Sequence, residues 1–90
     1  SPSFKLWELL EAKGAKVDYN DPYCPQVPKT REYAKYAGIK SIDLSKAGEY
    51  DLVLVATDHD CVDYKKLAND AKLIVDTRHA VANGKNVHRA

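Results

Sequence analysis

The sequence predicts an α/β fold in which helices cover both faces of a mainly parallel sheet. Residues 51–56 and 72–76 are strand-forming runs whose apolar residues do not alternate with polar ones, and a helical pattern lies between them. Strands that are apolar on both faces and joined by a helix indicate a parallel sheet with helices on each side. We therefore expect a small three-layer domain.

The first helix is predicted at the N-terminus. Ser1 is a good N-cap, and Pro2 suits the first helical position, where its missing N–H costs no hydrogen bond. Apolar residues recur with helical spacing over residues 4–10, and Gly14 fits a left-handed C-terminal cap. Doubly wound folds usually begin with a strand, so we expect a fragment whose first strand lies upstream.

A second helix is predicted between the two apolar strands. Asp60 is a candidate N-cap, Asp63 follows three residues later as in a capping box, and an apolar face continues to about residue 70. The other predicted elements are strands at residues 15–19 and 39–44, a short helix at residues 30–36, a helical turn at residues 45–48, and a proline-rich loop at residues 21–29.

Length and charge limit the class of protein. Ninety residues suit one domain, so residues 1–90 are interpreted as a single domain. The formal net charge of +1 provides no overall field for nucleic acid or an anionic membrane. The absence of a long apolar run and of a signal-peptide pattern favours a cytoplasmic protein. Cys24 and Cys61 are expected to remain thiols.

Polar residues follow both apolar strands. Thr57, Asp58 and His59 follow the first strand, and Arg78 follows the second. The carboxyl ends of parallel strands meet at one edge, where such sheets bind ligands, so we expect these residues on one rim. Arg78 presents a fork of donors that matches phosphate or carboxylate oxygens. A salt bridge to Asp58 or to Asp76 is an equally ordinary role.

The residues after the first strand also have two interpretations. Thr57, Asp58 and His59 could form an acid/base pair or half a metal site, but such residues more often cap the next helix and fix the loop. His59 and Cys61 lack a second matched pair of ligands, so no metal site is predicted. Neither G-x-G-x-x-G nor G-x-x-x-x-G-K-[ST] occurs, so no dinucleotide or P-loop cradle is assigned.

Four segments occur in a specific order along the chain. They are SP, GAKVDYNDPY, YDLVLVATDHDCVDY and KLIVDTRHA, and they span residues 1 to about 80. Together they resemble the C-terminal domain of the UDP-glucose/GDP-mannose dehydrogenase family. The TDH and DTR forms are more similar to the branch that oxidises UDP-N-acetylhexosamines than to the UDP-glucose branch. The resemblance implies a Rossmann-like, UDP-binding domain.

The resemblance also implies a reaction and a site. Enzymes of this family use two NAD to oxidise the sugar 6-hydroxyl of a nucleotide sugar to a carboxylate, through a cysteine-linked intermediate. NAD would be bound by an N-terminal domain absent here, and a long helix between the domains would form a homodimer. Arg78 matches the D-x-R arginine that contacts the nucleotide of the UDP-sugar. Thr57, Asp58 and His59 match the neighbouring strand-end motif and are supporting candidates.

The chain departs from the family pattern in several places. Neither Cys24 nor Cys61 has the glycine-flanked context of the nucleophile, and His79 stands where asparagine is common. The family's first strand of this domain and its substrate-binding lysine would precede Ser1. We therefore expect these 90 residues to be inactive, to bind no cofactor, and to form dimers or exchange strands through exposed edges.

A non-enzymatic function is the alternative. A flavodoxin-like or receiver-like module would bind a partner protein, with Asp58 and Asp60 as an acidic cluster at a strand end. Receiver domains need a lysine after the last strand, and Asp76 and Arg78 do not supply one. Titration with UDP and, separately, with Mg²⁺ distinguishes the two functions.

Overall fold

The computed structural model describes residues 4–90, which form two compact units, one ending at Ile42 and the other spanning Asp43–Ala90. No helix within residues 4–90 is long and apolar enough to cross a membrane. The assignment of residues 1–90 to one domain stays a prediction. The elements are helices α1 (Phe4–Ala12) and α2 (Tyr64–Asp70), 3₁₀ helices η1 (Ala34–Tyr36) and η2 (Leu44–Glu49), and strands β1 (Val53–Val55), β2 (Ile74–Asp76) and β3 (Val87–Arg89).

The first unit packs around aromatic side chains of α1. Trp7 is buried, and its ring stacks on Tyr36 with the centroids 4.5 Å apart. Phe4 stacks on Tyr33 at 4.8 Å. The helix ends as predicted, since Gly14 has a φ of 92°. The predicted cap at Ser1 and Pro2 lies outside the described residues.

Two predicted strands of the first unit are wrong. Residues 15–19 and 39–43 belong to no sheet, and Leu44 already begins the 3₁₀ helix Leu44–Glu49. The first segment receives a backbone hydrogen bond at the Tyr19 carbonyl, from the Ile42 N–H (2.8 Å), and Gln26 and Lys40 form an isolated bridge. Prolines on both sides of Gln26 remove N–H donors from the segment that faces residues 39–44, so a continuous ladder cannot form.

The short helix predicted at residues 30–36 is only a 3₁₀ helix, Ala34–Tyr36. Thr30 holds the chain just before this helix, because its hydroxyl accepts the Tyr33 N–H at 3.2 Å. Gly38 follows it with a φ of 87°. The turn predicted at residues 45–48 is the 3₁₀ helix Leu44–Glu49.

The second unit contains a parallel sheet in the order β1-β2-β3. Val55 of β1 lies opposite Asp76 of β2, which lies opposite Arg89 of β3. This confirms the predicted α/β fold and both strand predictions, although each strand is shorter than its apolar run. Strand β3 was not predicted. The core of this unit is formed by Ala47, Val55, Leu67, Ala71, Ile74 and Val81.

Helix α2 begins later than predicted. Its N-cap is Asp63, whose carboxylate accepts the Lys66 N–H at 3.0 Å, whereas Asp60 lies in a turn. That turn is closed by a hydrogen bond from the Val62 N–H to the His59 carbonyl (3.1 Å), which takes up the residues that would have formed the first helical turn. The predicted apolar face is correct, since Leu67 is buried in the core.

Gly48 allows η2 to approach the end of α2. A Cβ atom added at Gly48 would lie 2.9 Å from the backbone oxygen of Asp70, closer than side chains tolerate. At Gly84 an added Cβ would come no nearer than 3.4 Å to the Asn86 side chain. Both substitutions remove the same unfolded-state freedom, so they form a matched pair.

We predict that Gly48→Ala lowers the free energy of unfolding by about 1–3 kcal/mol, because η2 and α2 must separate to accommodate the methyl group. Gly84→Ala should leave it unchanged or raise it by up to about 1 kcal/mol. Urea denaturation of both variants measures the difference. Equal stabilities would show that the approach of η2 to Asp70 is not tight.

Candidate functional site

The ends of β1 and β2 meet at one rim, which we call the strand-end rim and define as residues 56–59 and 77–79. The N–H and the hydroxyl of Thr77 both donate to the Val55 carbonyl, at 3.1 and 2.6 Å. The next residue, Arg78, donates from Nε to the Ala56 carbonyl at 3.0 Å. The structure therefore brings Arg78 beside the segment that carries Thr57, as the sequence predicted.

Arg78 has an exposed side chain that makes no salt bridge within residues 4–90. The predicted alternative, a salt bridge to Asp76 or Asp58, is wrong: Asp76 instead pairs with Arg89, at 3.2 Å. The hydrogen bond from Nε to the carbonyl restrains the guanidinium, and its terminal nitrogens make no hydrogen bond within residues 4–90. A fixed guanidinium without an ionic partner is suited to binding an anion.

Asp76 is the centre of the loop that carries Arg78. Its side chain is fully buried, and Oδ1 accepts the Arg78 N–H at 2.9 Å while Oδ2 accepts the Val81 N–H at 2.8 Å. Burial by itself would raise the pKa of this carboxyl. The backbone N–H groups of the loop, and after them the charge of Arg89, outweigh burial and hold the pKa below its ordinary value.

His79 occupies the left-handed backbone region, with a φ of 56°. Asparagine and histidine are among the few residues other than glycine that adopt this region readily. The histidine found here therefore meets the backbone requirement of this position. The turn at His79 reverses the chain so that Val81 returns to the Asp76 carboxylate.

Tyr64 fixes the segment that follows β1. Its hydroxyl oxygen accepts the His59 N–H at 2.8 Å. Burial is the largest cause of the raised pKa of Tyr64, and the Asp58 carboxylate raises it further, while the His59 hydrogen bond acts in the opposite direction. Asp58 and Thr57 are exposed, and His59 is half-buried.

Three residues of the site were missed in the sequence. Tyr64 was assigned only to the apolar face of α2, and Asp76 only to the end of a strand and to a possible salt bridge with Arg78. Arg89 lies in a strand that the sequence pattern does not indicate. The signal for Asp76 was present: an acidic residue that ends a buried strand needs hydrogen bonds from the loop after it.

The model of the UDP-glucose/GDP-mannose dehydrogenase family, UDP binding domain, matches residues 1–83. The chain belongs to this family. Comparison with curated proteins and with solved structures gave no significant match. Membership confirms the resemblance seen in the sequence. The matched residues include the strand-end rim of this dehydrogenase-family domain. The match ends before β3, so Arg89 lies outside it.

The loop between β1 and α2 does not fit NAD. It contains three acidic residues, Asp58, Asp60 and Asp63, and residues 57–63 include no glycine. A dinucleotide requires a close approach of backbone N–H groups to its pyrophosphate, which glycines permit and which nearby carboxylates oppose. These residues of the family's UDP binding domain therefore supply no dinucleotide site.

We predict that Asp76 makes stability depend on pH in acid. Its folded pKa is depressed, so its contribution is complete above the unfolded pKa of about 3.9 and is lost as the pH falls through the folded value. As the pH falls from about 7 to about 3, a range that includes the unfolded pKa, the free energy of unfolding should fall more steeply for the wild type than for Asp76→Asn. Urea denaturation along a pH series measures both slopes, and parallel slopes would contradict the depressed pKa.

Proposed function

We propose that this domain holds the uridine diphosphate part of a UDP-sugar in an NAD-dependent nucleotide-sugar 6-dehydrogenase. The observation that carries the proposal is the guanidinium of Arg78, which is anchored through Nε at the strand-end rim and has no ionic partner within residues 4–90. Family membership supports UDP as the ligand. The UDP-N-acetylhexosamines are the sugar nucleotides that the TDH and DTR forms favour.

The residues of the rim have different chemical roles in this proposal. Arg78 neutralises the diphosphate and binds its oxygens through the terminal nitrogens of the guanidinium. Thr57 offers a hydroxyl that can donate to the same oxygens. Asp58 carries negative charge and so suits a hydroxyl group of the ligand, not its phosphates. His59 is tied to Tyr64 through its N–H and supports the loop.

Binding the nucleotide at this rim would serve catalysis at a distance. Binding energy from a part of the substrate that does not react can orient the reacting part. Oxidation of a primary alcohol to a carboxylate removes four electrons, so two NAD are consumed, and they would be bound by another domain of a cytoplasmic parent enzyme. Cys24 and Cys61 are free thiols outside the family's nucleophile pattern, so these 90 residues alone should be inactive.

We predict that Arg78→Met weakens UDP binding by roughly tenfold to a hundredfold, the effect of losing charge-assisted hydrogen bonds to phosphate. Arg78→Lys should recover only part of the affinity, because an ammonium group cannot donate in a fork. Amide chemical shifts recorded during UDP titration give the dissociation constants. In the full-length enzyme, Arg78→Ala should raise KM for the sugar nucleotide and leave NAD binding unchanged.

Lys85→Met is the matched control for this experiment. Lys85 is exposed and lies near β3, and its replacement removes one positive charge, as Arg78→Met does. It should bind UDP as the wild type does. Equal affinity of Arg78→Met and the wild type would remove Arg78 from the site. Shifts at Asp58 and Asp60 with Mg²⁺, without any response to UDP, would instead support a receiver-like module.

We also propose that the chain self-associates through a sheet edge. Within the described residues, β1 and β3 are the edge strands. The Val53 N–H donates to the Leu73 carbonyl at 2.8 Å, on the side of β1 that faces β2. Backbone groups of successive strand residues point to opposite sides, so the N–H and C=O of Leu54 point away from β2. Unpaired groups of this kind are a template for another strand.

Sedimentation velocity over a range of concentrations tests this association. We expect the 90-residue chain to dimerise or to exchange strands as the concentration rises. Leu54→Pro should reduce association, because proline removes the outward N–H of β1 and leaves the donors that face β2. A single monomeric species at the highest concentration would contradict the proposal.

A further inference from the structure

Arg89 connects the two ends of the loop that carries Arg78. From Nη1 it donates to Oδ2 of Asp76 at 3.2 Å. From Nη2 it donates to the Val81 carbonyl at 2.8 Å and to the Asn83 side-chain oxygen at 3.0 Å. One guanidinium therefore joins the last residue of β2 to the chain that returns after the turn at residues 77–79.

The carboxylate of Asp76 is shared between Arg89 and the backbone of Arg78. It has no solvent exposure, whereas the Arg89 side chain is about one-third exposed (30%). A buried carboxylate requires compensating charge and hydrogen bonds. Without Arg89, Oδ2 would keep only donors from the loop itself, so the carboxylate could rotate or draw water and release the Arg78 N–H from Oδ1.

We infer that Arg89 is a positioning residue for Arg78 and acts through the shared carboxylate of Asp76. Arg89 does not touch the proposed ligand; it holds the loop in the conformation in which the Nε of Arg78 reaches the Ala56 carbonyl. The site therefore depends on a strand beyond residue 83, where the family match ends. The effect on UDP affinity rests on the proposed function, whereas the effect on the loop does not.

The first test needs no ligand. In the wild-type chain the Nε–H of Arg78 should give a resolved NMR signal that exchanges slowly with water, because the Ala56 carbonyl accepts it. In Arg89→Met this exchange should be roughly tenfold faster, as expected when one hydrogen bond is lost. Lys85→Met removes the same charge from the neighbouring segment and should leave the signal unchanged.

The second test is UDP titration of the same variants, with chemical shifts recorded on chains whose amide spectra show them to be folded. Arg89→Met should bind UDP roughly tenfold more weakly, and Lys85→Met should bind it as the wild type does. If Arg89→Met does not fold, Arg89→Lys replaces it. Lysine keeps the charge near Asp76 but loses the fork to Val81 and Asn83, so intermediate exchange and affinity are expected.

An unchanged Arg78 Nε–H signal in a folded Arg89→Met or Arg89→Lys chain would overturn the inference, even if the variant is less stable. A merely structural Arg89 would lower the free energy of unfolding without changing either readout. If the wild-type chain does not bind UDP, the proposed function fails for this chain. The exchange measurement still decides whether Arg89 positions Arg78.

Discussion

The buried carboxylate of Asp76 is the constraint on which the strand-end rim depends. A charge without solvent exposure must obtain its hydrogen bonds from the protein. The loop meets this requirement by turning its own N–H groups inward, which needs the left-handed conformation at His79. Once the N–H groups point inward, the side chain of Arg78 is free to lie across the end of β1. The position of Arg78 is thus a consequence of the hydrogen bonds that the loop donates to Asp76.

The parallel sheet makes this arrangement available to a ligand. Pairing of Val55 with Asp76 aligns the ends of β1 and β2, so the residues that follow both strands share one edge. The buried Ile74 anchors β2 in the core beneath that edge. A guanidinium held before the ligand arrives loses less conformational entropy on binding than a mobile one. In the function proposed for Arg78, this is the physical advantage of the buried acid.

The sequence predicted the elements that depend on patterns among neighbouring residues. The apolar runs predicted β1 and β2, the spacing after residue 63 predicted the buried face of α2, and Gly14 predicted the end of α1. Strand β3 was missed because Val87–Arg89 is short and largely exposed, so its pairing with β2 leaves no apolar pattern. The rim followed from strand order. The link from Arg89 to Asp76 joins residues of different strands and has no local signature.

A crystal structure of the chain with bound UDP is the most direct measurement of the central claim. The account predicts that the terminal nitrogens of Arg78 contact phosphate oxygens, while its Nε stays on the Ala56 carbonyl and both carboxylate oxygens of Asp76 keep their partners. The loop should therefore be the same with and without ligand. UDP bound away from the ends of β1 and β2, or a loop that forms only around the ligand, would contradict the account.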